Sequence, residues 1–219
     1  MTGGWFDAVV FDLDGTLIDT ETSYRRAFFA TAAAFALPVP PGFYATLLGV
    51  ATPDRAALLR QAFGADFPVA EFLAAYYAHR AAIMPAGPSL CPGAVELLHA
   101  LPQPKAIATS ASRRTALRHL AATRLAGHFA HVVTRDDVPR GKPAPDSFLR
   151  AAALLGARPQ RCLAVEDSPT GVAAACAAGL QVLMVAADPP AEARRRCLAV
   201  VPDLHAGREV LCAPAIPAA

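Results

Sequence analysis

A chain of 219 residues, 54% of them apolar, is long enough for one large domain or a domain carrying a smaller insert, and it can bury a core without disulfide or metal staples. The net charge of +2, with both signs spread along the chain, excludes the concentrated basic surface of a nucleic-acid binder or of a protein held on an anionic membrane. Five scattered cysteines in mostly apolar runs predict reduced thiols, and no stretch reaches the roughly 18 apolar residues of a membrane span, so a reducing, cytoplasmic setting is expected.

The first predicted element is a strand over residues 8–11, whose apolar, β-branched content is that of a buried parallel strand. It follows no basic and apolar leader, because Asp7, Asp12 and Asp14 interrupt the segment. The strand ends in Asp12, Asp14 and Gly15. Side chains two apart on a strand share a face, so both carboxylates are expected at the strand's carboxyl end, where open α/β sheets place their ligands. Like charges there need a cation or a proton to offset them. The plainer reading is an acidic turn.

After Asp19 the pattern becomes helical. Tyr24, Ala27, Phe28, Thr31 and Phe35 fall at three-to-four spacing and predict one amphipathic helix. Pro38, Pro40 and Pro41 break it, and further helices are predicted over 53–63 and 69–84. Nothing between residues 19 and 87 reads as a strand. That block is therefore expected to be a separate helical domain, 19–87, inserted into a second domain made of 1–18 and 88–219.

From residue 91 short apolar runs alternate with helices. Helices are predicted over 93–101, 113–123, 146–155, 168–178 and 191–196, strands over 105–109, 131–134, 161–165, 181–185 and 198–201, and a frayed tail beyond 211. Repeated βα units imply an α/β fold, a parallel sheet with helices on both faces.

Three of these junctions carry chemistry. The second strand ends in Thr109 and Ser110, hydroxyls before a helix start that can bind phosphate oxygens, with Ser112 as an N-cap. Lys142, one of only two lysines, stands between Gly141 and Pro143 in a loop; a solvated lysine is the bland alternative. The strand over 161–165 ends in Glu166 and Asp167, acids that would suit a helix N-terminus or, beside Asp12 and Asp14, a hard divalent cation.

The stretch from Asp12 to Thr20 resembles the signature of the haloacid dehalogenase superfamily, and Thr109 or Ser110, Lys142, and Glu166 with Asp167 resemble its remaining three motifs, in order and across nearly the whole chain. The position of the insert resembles the cap of the β-phosphoglucomutase and phosphoglycolate phosphatase branch. The resemblance implies a Rossmann-like doubly wound core and a mobile all-helical cap. It implies a magnesium-dependent phosphatase of a small phosphomonoester, acting as a monomer or weak dimer. Asp12 would be the nucleophile that forms an aspartyl-phosphate and Asp14 the acid and base. Magnesium would be held by Asp12, the Asp14 carbonyl and Asp167, with Glu166 in its outer shell. Thr109, Ser110 and Lys142 would clamp phosphate oxygens, with Thr109 favoured over Ser110 as the second-motif hydroxyl.

Relatives of other activity differ at residues that can be named. Dehalogenation needs neither Asp14 nor Asp167, and phosphonate cleavage uses a cap lysine that this cap lacks. Mutases carry cationic cap residues where Tyr24 and Thr52 stand here. A mutase, and a catalytically silent binding module on the same fold, remain the alternatives.

Overall fold

The computed structural model describes residues 6–47, 52–84 and 87–212, with side chains from residue 55 in its middle section; the Thr52 side chain and the tail from 213 lie outside the described residues. In chain order, β1 (Ala8–Phe11) and β2 (Ile18–Asp19) precede the helices α1 (Glu21–Ala34), α2 (Phe43–Thr46), α3 (Thr52–Phe63) and α4 (Val69–Ile83). Then follow β3 (Ser89–Leu90), α5 (Ala94–Ala100), β4 (Lys105–Ala108), α6 (Arg113–Ala122), β5 (His131–Val133) and α7 (Asp146–Leu154). The chain continues with β6 (Cys162–Glu166), α8 (Pro169–Ala177), β7 (Gln181–Val185), α9 (Ala191–Arg195), β8 (Ala199–Val201) and α10 (Leu204–Cys212).

Two compact units emerge, one of residues 1–19 and 89–219, the other of residues 20–88. The first is a doubly wound, Rossmann-like α/β unit whose six parallel strands run in the order β5-β4-β1-β6-β7-β8. β1 is central and fully covered, which is why it is apolar at every position. Its residues alternate between two cores: Val9 and Phe11 face Leu97, Ile107, Leu120 and Leu204, whereas Ala8 and Val10 face Phe148, Val172, Ala175 and Met184. The strand order reverses at β1, between β4 and β6. Such a switch point opens a crevice at the carboxyl ends of the strands.

The second unit packs α1, α3 and α4 around Phe28, Leu59, Phe67, Phe72 and Tyr76. Within it the Arg80 guanidinium lies 3.6 Å from the centre of the Tyr24 ring, and the exposed Arg25 lies 5.9 Å from that of Phe29. Among the described residues no helix is long and apolar enough to cross a membrane. All five cysteines are free thiols.

Four of these elements were not expected from the sequence. β2 and β3 pair antiparallel over two residues each, too short for any period to register. α2 is a single turn after a Pro-Pro-Gly break. α10 was hidden by Gly207, which reads as a breaker but lets the helix approach β7: a Cβ there would lie 3.1 Å from Leu183.

Candidate active site

Three adjacent strands, β4, β1 and β6, deliver their last side chains to one crevice. The ladder continues one residue past β1, since the Asp12 N–H donates to the Val165 carbonyl at 2.9 Å, and this fixes the start of the acidic turn. Gly15 then adopts φ +90°, and a Cβ at that position would lie 2.2 Å from Asp167 Oδ2. Only glycine lets the turn meet the Asp167 carboxylate, which also accepts from the Thr16 hydroxyl at 3.0 Å.

Lys142 joins the two acidic strand ends. Its ammonium donates to Asp12 Oδ1 at 2.5 Å and to Glu166 Oε1 at 2.6 Å, with the side chains of Lys142, Asp12 and Glu166 only 5%, 9% and 0% exposed. The Phe148 ring lies 4.9 Å from the ammonium. The loop that carries Lys142 is braced. Thr134 donates through its N–H and its hydroxyl to Asp137, the Arg135 N–H donates to the Ala111 carbonyl, and the Arg135 guanidinium donates to the Val138 and Pro139 carbonyls.

Glu166 has no spare oxygen. Its Oε2 accepts from the N–H of Asp167, the N–H of Ser168 and the Ser168 hydroxyl, all within 3.0 Å, while Oε1 holds Lys142. Gly171 makes this possible, because a Cβ there would overlap the Glu166 carboxylate at 1.7 Å. Thr109 is buried, accepts from the Ala111 N–H at 3.0 Å and points its hydroxyl at Asp14 Oδ2, 3.4 Å away. Ser110 is exposed. Ser112 caps α6, its side chain accepting from Thr115.

Charge in the crevice is unbalanced: three carboxylates, Asp12, Glu166 and Asp167, surround one ammonium. Burial pushes Asp12 well above the usual carboxylate range; Lys142 pulls it down, while Glu166 and Asp167 push it further up. Burial and Glu166 raise Asp167 to about 7, against the Thr16 bond and Lys142. Burial alone would lower Lys142, but Asp12 and Glu166 outweigh it and hold the ammonium charged. A buried excess of carboxylate oxygens fits a hard divalent cation. Among the described residues no three acid, imidazole or thiol side chains converge on one metal position. Asp12 and Asp167 would therefore need the main chain, such as the Asp14 carbonyl, to complete a site.

The Asp14 side chain turns toward Thr109 and His119, whose Nδ1 stands 3.5 Å from Asp14 Oδ1. Sequence reasoning did not single out His119. The one signal was its helical spacing from Ala116, which places it on the buried face of α6. Thr16 lies within the first motif, and its bond to Asp167 depends on a strand end 151 residues away.

A family model for haloacid dehalogenase-like hydrolases matches residues 6–179. The protein CbbY of Rhodobacter capsulatus is 38% identical over 190 residues, 81% of this chain and 84% of that protein. Hexitol phosphatase A of Escherichia coli strain K12 is 38% identical over 194 residues, 85% of each chain. Among solved structures, a HAD family hydrolase from Deinococcus radiodurans R1 with bound phosphate and sodium matches with a TM-score of 0.78 at 31% identity, covering 94% of this chain and 95% of that one. The chain belongs to the haloacid dehalogenase-like hydrolases.

Proposed function

We propose that this protein is a magnesium-dependent phosphatase of small phosphorylated sugars or polyols that works through an aspartyl-phosphate. The observation that carries the reading is the buried Lys142 ammonium shared between Asp12 and Glu166 at the switch point: a carboxylate beside a fixed cation supports phosphoryl transfer. Likeness to Hexitol phosphatase A supports the class of substrate.

Asp12 attacks phosphorus, and the bond from phosphorus to the substrate oxygen breaks. Asp14 gives its proton to the departing alcohol, then takes one from the water that attacks the aspartyl-phosphate, so inorganic phosphate leaves and Asp12 is regenerated. Lys142 and Thr109 bind phosphoryl oxygens, with Ser110 beside Thr109 at the strand end. Glu166 orients Lys142. Magnesium, held by Asp12, Asp167 and the Asp14 carbonyl, would offset the charge between the carboxylate and phosphate when bound. Residues 20–88 serve as the helical cap.

Asp12→Asn tests the reading, because an amide is a poor nucleophile and a weaker ligand. Phosphate release from a panel of sugar and polyol phosphates should fall by roughly a thousandfold or more in this variant. In the wild type it should stop reversibly on chelation. Near-normal turnover by a folded Asp12→Asn protein would overturn the assignment. Conversion of β-glucose 1-phosphate to glucose 6-phosphate, primed with a trace of the bisphosphate and faster than phosphate release, would promote the mutase.

A further inference from the structure

His119 is 1% exposed and lies on the inward face of α6 with Ala116 and Leu120. An imidazole in such a place costs free energy unless its polar atoms find partners. Its Nδ1 has no hydrogen-bond partner among the described residues, and the atom it faces, Asp14 Oδ1 at 3.5 Å, is also buried and without a partner. One is a potential donor and the other an acceptor. At 3.5 Å the pair is longer than a good hydrogen bond, but such contacts are commonly long in unliganded sites and tighten when substrate binds.

The second oxygen of Asp14 has a neighbour of the same kind. Oδ2 faces the Thr109 hydroxyl at 3.4 Å, and that hydroxyl is fixed by the Ala111 N–H. The Asp14 carboxyl thus lies between two buried side chains, one at the end of β4 and one on the helix that follows. Its own side chain is 25% exposed, so without them it could rotate freely toward solvent.

We propose that His119 is a positioning residue for Asp14: the Nδ1–H of its imidazole donates to Oδ1 and fixes the carboxyl in the rotamer from which it protonates the leaving group. A neutral imidazole is enough, provided its proton sits on Nδ1. The inference rests on the acid role given to Asp14 above, and no bond to the substrate is assigned to His119.

Leaving-group dependence tests it. kcat/KM reports the steps up to departure of the alcohol, and a p-nitrophenolate departs without a proton whereas the alkoxide of a hexitol phosphate does not. Asp14→Asn is the reference and should lose far more kcat/KM on the hexitol phosphate than on p-nitrophenyl phosphate. His119→Leu and His119→Gln should show the same selectivity, losing about 10- to 100-fold on the first and less than about threefold on the second. His119→Asn places an amide N–H near the Nδ1 position and should recover the hexitol rate to within about threefold. Adding His119→Leu to Asp14→Asn should cost nothing further, as expected of groups acting as one unit.

Equal losses on both substrates would reduce His119 to a packing residue and overturn the proposal, as would additive effects in the double variant. Absence of selectivity in Asp14→Asn itself would instead overturn the acid role of Asp14. Should the Leu variant fail to fold, the Asn and Gln variants, both polar and close to imidazole in size, still decide the question through the difference between them.

Discussion

Both oxygens of Glu166 are engaged, so its part in the site is to fix Lys142 and the first turn of α8. Glu166→Gln would keep the shape but offer a single acceptor oxygen: either the amide donor faces the buried ammonium, or it faces the donors of Asp167 and Ser168 and a neutral oxygen faces the ammonium. Lys142 retains Asp12, so the cost should be about 1–3 kcal/mol in stability. Loss of an orienting partner should also lower kcat by about 10- to 100-fold. Thermal unfolding and phosphate release measure the two effects. Unchanged turnover would mean that Asp12 alone suffices to place the lysine. The paired acids were legible in the sequence because carboxylates at the end of an apolar strand have no packing reason to be there. His119 was not, because a single histidine at helical spacing reads the same whether it faces core, solvent or a catalytic acid.

At the scale of elements, the loop between β5 and α7 holds Lys142 through a small network whose charge can be titrated. Burial pushes Asp137 up, but the Arg113 guanidinium and the hydroxyl and N–H of Thr134 pull it further down, to about 2 from its ordinary 3.8. A carboxyl with a lowered folded-state pKa stabilises the fold at pH values above its unfolded pKa, and that contribution fades as the pH falls through the folded value. Asp137→Asn should therefore be less stable than the wild type at pH 6, with the gap closing between about pH 4 and pH 2. Chemical denaturation at several pH values measures it, and a gap constant with pH would assign the effect to shape instead of charge. The βα units were legible because short apolar strand runs alternate regularly with helix-length segments. α10 was not, because its glycine serves a close approach to Leu183 that only the folded sheet reveals.

For the molecule as a whole, the two-residue strands β2 and β3 set the terms on which the chain leaves one unit and returns to it. Asp19 pairs with Ser89 and Ile18 with Leu90, antiparallel, so the departing and returning segments are tied side by side by main-chain bonds. In connectivity, residues 20–88 are the loop of a hairpin that has grown into a folded body. Loop closure grows only logarithmically with length, so exchanging this loop for a longer or shorter one changes the closure cost by about 0.6 kcal/mol per doubling. Such a junction acts as a socket: joining Asp19 to Ser89 through a short Gly-rich turn should leave a core that unfolds in one cooperative transition, followed by circular dichroism. A core that fails to fold would show that the insert is an integral support. If it does fold, a different loop body can be grafted onto an unchanged α/β core.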